Sequence, residues 1–459
     1  MKKAAYILVF LIAFGASYFL LPYFKDIENP HNRYVYAAAN ASIEKTEIDP
    51  ADNTFVERIT TDSGTEEIEY IVLRRPDDFE KYLLNGVVEV YYLEHTNLNY
   101  ILAADIDFNG KPSARLDVTA REIGKSALAT FNGVFNGNGY KIKNVAIKEG
   151  IFGTVGTNAT VKKLIIDASC SVSNVALTNT NNGLISQVKN YAKVITTAAR
   201  PSTAVGIAVT NGGTVTLSYN AGTISGTSGI VETNNGTVSV CSNEGTVLGT
   251  TSYAGGIVAI NNAEITECIN SGEVGSKNSA YAGGIVAYSK GGTVKDSDNT
   301  DDAVIMGYAA VGGIAGNFYG TIENCKNYGL VKAVQKGDID SYAGGIAGKA
   351  DSAVETSLIT GCKNTAVIIG QNADGILGNV EDIKDKNLPV KLTSNQNDGR
   401  LNGRTEFTLK LDSFLTSYKL VIIAVIAVIV VAAIISIIVD RVNAVKNRRT
   451  EIDTMLYNL

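Results

Sequence analysis

The sequence predicts an all-β solenoid, a parallel β-helix held to a membrane, and three observations carry that expectation. A short glycine-led motif returns nine times between Gly150 and Gly378. Short alternating segments and turn residues lie between its copies, and no piece has the length or period of a helix. Two uncharged apolar runs flank the repeats, one after Met1-Lys2-Lys3 and one from Leu420 to Val439.

A chain of 459 residues would ordinarily divide into about three domains. Stacked repeats override that division, because they form one body however long the array. The composition, rich in Gly and Tyr and poor in Pro, is neither collagenous nor that of a disordered chain. A formal net charge of -6 leaves no footprint for nucleic acid. The only histidines, His31 and His95, lie away from any cysteine cluster, which argues against zinc hydrolases and Ser-His-Asp enzymes. No catalytic constellation and no cofactor motif is visible, so the expectation is a protein that is not an enzyme.

Residues 1–24 read as a signal anchor. A cleaved signal peptide is the alternative, although the apolar core exceeds the usual length and Ala37-Ala38-Ala39 lies far beyond it. Residues 25–66 are polar and read as a stalk or linker. Residues 67–130 read as a mixed α/β cap over the open end of the stack. It has a short helix near Asp78 to Leu84 and strands around Val88 to Leu93 and Tyr100 to Ile106. Residues 131–381 are the repeats, and residues 382–416, which lose the motif, are a terminal cap and juxtamembrane linker. Within that linker Phe407 to Leu411 alternates like a last strand. The run at 417–440 has about the ~20 residues a membrane helix needs. Residues 441–459 are basic, and Val442, Val445, Ile452, Leu456 and Leu459 sit at amphipathic-helix spacing. The positive-inside rule puts both charged ends in the cytoplasm. The expected location is therefore the cell membrane, with the β-helix on the extracytoplasmic side.

The repeat is clearest as Gly256-Ile257-Val258-Ala259, Gly284-Ile285-Val286-Ala287, Gly313-Ile314-Ala315-Gly316 and Gly345-Ile346-Ala347-Gly348. Each period also holds a second element, as in T-V-S-V-C-S-N-E-G and T-I-E-N-C-K-N-Y-G. Cys241, Cys268, Cys325 and Cys362 occupy one column, which Ser218 and Ser297 complete, and an Asn follows each two positions later. In a parallel β-helix such columns stack about 4.8 Å apart. Shared parity puts Cys and Asn on one side of the strand, as a thiol/hydroxyl ladder beside a hydrogen-bonded amide ladder. Val238, Ile265 and Ile322, three residues before the cysteines, have opposite parity, so a bend must intervene if both point inward. In-line cysteines point alike rather than at each other, and the expectation is free buried thiols.

From about Phe131 to Gly378 the chain resembles the GLUG-repeat proteins, in the Gly-Ile-apolar-small tetrad and the I-x-x-C-x-N-x-G element. YILAADIDFNG, FNGVFNGNGYKIKNV and GIFG resemble their lead-in. The resemblance implies a right-handed parallel β-helix of the pectin-lyase-like class on a bacterial surface or secreted protein. Some members carry a zinc peptidase module, but this chain has no His-Glu-x-x-His, so that activity does not carry over.

Two groups of side chains could form sites. Tyr253, Tyr281 and Tyr342 each stand three residues before a tetrad glycine. They could make an aromatic strip for sugar rings, or a ladder that only packs coil on coil. Asp296, Asp298, Asp301 and Asp302 could bind calcium, supply the paired carboxylates of a β-helix glycosidase, or form a solvated turn. Three functional classes follow: an adhesive surface protein, a subunit of an envelope assembly, and a carbohydrate-active enzyme or glycan-binding protein. The partners implied are the membrane, envelope proteins and a glycan.

Overall fold

The computed structural model describes residues 43–405, apart from 62–63, 80–96, 110–114, 117–129, 198–202, 250–251, 351–356, 387–388 and 403. Both apolar runs, the basic tail, and the expected strands at Val88 to Leu93 and Phe407 to Leu411 lie outside the described residues. Among the described residues no helix is long and apolar enough to cross a membrane.

The architecture is a parallel β-solenoid. Nearly every strand hydrogen-bonds to its equivalent one coil earlier and one coil later. One coil runs from the tetrad strand Val231–Asn234 to Thr237–Ser239 and then to Ser242–Asn243. It closes through Val247 and returns through Tyr253–Gly255 to the next tetrad strand, Val258–Asn261. The face containing Ser242–Asn243 stacks eleven strands, roughly 50 Å at one strand spacing each.

Bulges and bends let unbroken apolar pairs point inward. Ile257 and Val258 are both fully buried although adjacent in sequence. Their two N–H groups donate to a single acceptor, Ile285 O, at 3.1 and 2.9 Å. The same double donation recurs from Ile285 and Val286 to Ile314 O, so the tetrad is a repeated bulge. The bend expected before the cysteine column is also present. Val240, Glu267, Asp296 and Asn324, each just before a Cys or Ser of that column, have φ of 52°, 53°, 47° and 54°. A left-handed residue costs about 1–2 kcal/mol in a non-glycine, and here one is repeated coil after coil because it aims both neighbours at the core.

The amide ladder is longer than the repeats alone suggest. Asn190, Asn220, Asn243, Asn270, Asn299, Asn327, Asn364 and Asn397 are joined in sequence by amide-to-amide hydrogen bonds of 2.8–2.9 Å. Each of Asn190, Asn220, Asn243 and Asn270 also donates to the carbonyl two residues on. A second ladder, Asn181, Asn211, Asn234 and Asn261, closes another corner. Full satisfaction of buried amides is what makes a polar column tolerable inside a core.

The tetrad glycines face this ladder. A Cβ on Gly256 would lie 2.5 Å from Asn270 Oδ1, and one on Gly284 would lie 2.6 Å from Asn299 Oδ1. Gly229, Gly313 and Gly345 meet Asn243, Asn327 and Asn364 in the same way. The interior is pinched at this line, and only glycine leaves room for the amide.

All five cysteines are free and buried. Four donate back to the carbonyl two residues before, at 3.3–3.4 Å. Ser218 and Ser297 do the same at 2.9 and 2.8 Å, which explains why Cys and Ser exchange in this column. Burial pushes the Cys170 thiol up to about 11 and those of Cys268 and Cys325 well above the ordinary range. The hydrogen bond with Cys325 lowers that of Cys362, so it is the burial of all five that should make the native protein resist a thiol-exchange reagent at neutral pH. Five equivalents should be released only on denaturation, and prompt release from the native protein would contradict the burial.

At the two ends the structure differs from the sequence expectation. Thr54–Thr61, placed in the linker at 25–66, is strand β1. It pairs antiparallel with β2, Gly64–Leu73, which continues in parallel with Tyr100–Leu102. Its alternation is blurred because apolar Val56 lies in the exposed row with Thr54 and Arg58, while charged Glu57 lies in the half-buried row with Phe55 and Ile59. Of the expected helix, only Pro76–Phe79 is described. Beyond residue 381 the stack continues for one more coil. Val390–Thr393, Gln396–Asn397 and Arg400–Leu401 pair with Ser357–Thr360, Lys363–Asn364 and Val367–Ile368. Here Asn395 takes the cysteine position, accepting from Cys362 N at 2.9 Å.

Glu57 ties the hairpin to the body. Its carboxylate accepts from Tyr70 Oη at 2.5 Å and from Lys162 Nζ at 3.0 Å. Burial pushes its pKa up, but the Tyr70 and Lys162 hydrogen bonds and the Lys162 charge outweigh that and hold it below the usual carboxylate range. A depressed folded pKa gives stabilisation present above the unfolded value and lost as pH falls through the folded one. Amide exchange in 54–73 should accelerate on acidification over that interval, and Glu57→Gln should abolish the pH dependence.

Candidate functional site

The tetrad strand presents one row that can be followed coil by coil, half-buried except at the buried Asn317: Thr154, Thr180, Thr210, Thr233, Ile260, Tyr288, Asn317, Lys349. Its character changes at Tyr288, where the corner beside it also changes. The corner asparagines end at Asn261, and the next three coils place Ser289, Phe318 and Ala350 in that position. Without the corner amide, two short strands fuse into long ones, Val286–Lys295 and Ala315–Glu323. The register slips between Lys290 and Thr293. Alternation along these strands turns Phe318 into the core, fully buried, and turns Tyr288, Lys290 and Tyr319 outward.

Tyr253 and Tyr281 arrive from the neighbouring return strands, directly opposite one another. Four half-buried rings thus meet. Tyr253 and Tyr281 lie 5.7 Å apart between centroids, as do Tyr281 and Tyr288. Tyr253 and Tyr288 stack at 6.4 Å, and Tyr319 meets Tyr288 edge-on at 6.5 Å. Each such pair contributes about 0.5–1.5 kcal/mol beyond its buried area. Rings this close spend part of their faces on each other, so the group both packs the coils and leaves edges to solvent. Lys290 Nζ stands 4.9 Å from the Tyr288 centroid.

The third tyrosine of the expected strip, Tyr342, is set apart. Ala310 stands between it and Tyr281 in the return-strand register. Its hydroxyl donates to Asp382 Oδ2 at 2.8 Å, and Lys349 Nζ lies 5.7 Å from its ring. Burial and the Asp382 carboxylate raise its pKa to about 12. Tyr288, Tyr319 and Lys290 were not among the expected site residues. Tyr288 stands one step past the tetrad, in the position held by Thr233 and Ile260 in earlier coils, and Lys290 and Tyr319 stand two positions beyond that row in the fused strands.

The four aspartates are not brought together. Asp296 is exposed at the left-handed corner, and Asp301 and Asp302 are exposed in the following turn. Asp298 is buried in the short strand, where its Oδ1 accepts from Lys326 N at 3.2 Å. Strand alternation separates it from its neighbours. Among the described residues no three His, Cys, Asp or Glu side chains are grouped to hold a metal ion.

No family model matches the chain, and no curated protein matches it. A solved structure described as a putative immunoglobulin A1 protease from Bacteroides ovatus is similar at 18% identity, over 75% of this chain and 80% of that one, with a TM-score of 0.25. A superposition that loose carries no argument about activity, and the all-β solenoid rests on the strand pairing itself.

Proposed function

We propose that the protein is a membrane-anchored, extracytoplasmic β-solenoid that binds rather than catalyses, a scaffold or adhesin-like protein of the bacterial cell envelope. The apolar runs at both ends of the sequence support the anchoring, and the GLUG-like repeats support the surface setting. The observation that carries the binding role is the aromatic group formed by Tyr253, Tyr281, Tyr288 and Tyr319. It sits where the corner ladder is interrupted, a local departure from a repeat that is otherwise held coil after coil. Rigid rings backed by a stacked sheet give contact area at little entropic cost.

The test is extraction of the full chain from its native membrane in mild detergent, with the mass and composition of the eluting species measured. The wild-type protein should elute with a defined partner, protein or glycan. A Tyr281→Ser/Tyr288→Ser variant should elute without it, while amide exchange in the Asn243 to Asn299 ladder stays unchanged. Elution of the wild-type chain alone would sink the binding reading.

A further inference from the structure

We infer that the tyrosine face takes an anionic glycan, a chain of sugar rings carrying carboxylate or phosphate groups. This rests on the binding reading above and names its ligand class.

Cations accompany the tyrosines of this stretch, as they also do elsewhere, where Lys45 stands over Tyr140 at 4.0 Å and Lys189 over Tyr219 at 5.9 Å. Lys290, Lys336 and Lys349 each hold their ammonium over a tyrosine ring, at 4.9, 4.2 and 5.7 Å from the centroids of Tyr288, Tyr308 and Tyr342. None of the three has a carboxylate partner among the described residues. Elsewhere Lys141, Lys143, Lys162 and Lys363 are paired with Asp167, Asp105, Glu57 and Asp398. Ammonium groups parked on aromatic rings keep their charge available, and each supplies a point charge that needs no fixed bidentate geometry. The charge complementary to them is negative.

The surroundings favour a sugar over an acidic peptide. Gly291, with φ +82°, lies beside the Tyr319 ring, and Gly320, with φ +114°, lies in the next coil. Gly291 is exposed and leaves bare backbone where a flat ring can lie against aromatic edges, while Gly320 packs closely on the Gly292 carbonyl of the preceding coil. Phenol hydroxyls and lysines around such a shelf match ring hydroxyls and acid groups. In the earlier coils the same row holds Thr154, Thr180, Thr210 and Thr233, so within this row the aromatic and cationic side chains are confined to one stretch. Another tyrosine pair with a lysine, Tyr191 and Tyr219 with Lys189, lies on a different strand.

The test measures binding of the detergent-solubilised full chain to four polymers: hyaluronan, phosphomannan, neutral dextran and poly-glutamate. At least one charged glycan should bind at least tenfold more tightly than dextran, with affinity falling as salt rises. Preference for hyaluronan points to an external source, and preference for phosphomannan to a phosphorylated envelope polymer. Lys290→Gln/Lys349→Gln should weaken binding about tenfold and flatten the salt dependence. Tyr288→Ser should weaken it at every salt concentration, with ladder exchange unchanged in both variants. Equal binding of dextran, equal binding of poly-glutamate, no binding at all, or binding indifferent to these substitutions would each overturn the inference. The tyrosine-dependent partner seen on membrane extraction tests the broader binding reading separately.

Discussion

Gly284→Ala is expected to unfold the centre of the solenoid, with a loss of about 4 kcal/mol, at the upper end of what single substitutions do. The added methyl would meet Asn299 Oδ1 at 2.6 Å and the backbone carbonyl of Gly313 still closer. Neither can retreat. The carbonyl belongs to the next tetrad, and the amide is locked between Asn270 and Asn327 by hydrogen bonds of 2.9 and 2.8 Å. Gly212→Ala is the control, since its nearest neighbour is the side-chain tip of Asn182 at 3.0 Å. That change should cost under about 0.5 kcal/mol. Urea denaturation followed by amide exchange checks both, with the loss for Gly284→Ala centred on the coils holding Asn270, Asn299 and Asn327. Equal stability of the two variants would mean that the interior is not pinched where glycine meets asparagine.

Asn270→Ala should follow closely, at about 3 kcal/mol, because unsatisfied buried polar atoms cost about 1–3 kcal/mol each. Asn243 Nδ2 would lose its 2.8 Å bond to Asn270, Asn299 Oδ1 its 2.9 Å bond, and Gly272 O its 3.0 Å bond. Asn270→Asp distinguishes a ladder from simple packing. Its carboxyl would be buried at a position now fully closed to solvent, so burial would raise its folded pKa above the unfolded value. Stability is then greatest at low pH, where the protonated acid can donate to Asn299, and is lost as pH rises toward the raised pKa. Denaturation midpoints at acid and neutral pH, compared with the wild type, give the sign. A variant with no pH dependence of its own would mean that the side chain has left the core.

The columns were legible in the sequence because stacking imposes one chemical demand on every coil. Cys241, Cys268, Cys325 and Cys362 recur since each fills the same inward niche, and Ser218 and Ser297 replace them because a hydroxyl makes the same back-bond. The contact between Gly284 and Asn299 was not legible, because it joins two separately visible columns across the coil. The last coil escaped notice because Asn395 stands where cysteine was expected and a short helix, Val380–Lys386, interrupts the approach. Asn397-x-Gly399 was the remaining trace of it. At the candidate site, Tyr253 and Tyr281 were legible by register, while Tyr288 and Tyr319 depend on a fused strand that replaces a corner. That change is a loss of pattern, which periodicity cannot announce.

The glycine–asparagine line also divides each coil into a tighter arc and a more variable one. From Gly229 to Asn243, from Gly256 to Asn270 and from Gly313 to Asn327 the chain takes fourteen residues each time, against fifteen from Gly284 to Asn299 and nineteen from Gly345 to Asn364. The return from Asn220 to Gly229 takes nine, while that from Asn327 to Gly345 takes eighteen. Length has therefore been added most freely on the return side, and on the opposing arc only in the later coils. Foreign sequence spliced into the turn at Gly337, whose surroundings are open, would be carried as a tolerated insert, as the longer arc from Gly345 to Asn364 already is, with Asn397 still stacked on Asn364 beyond it.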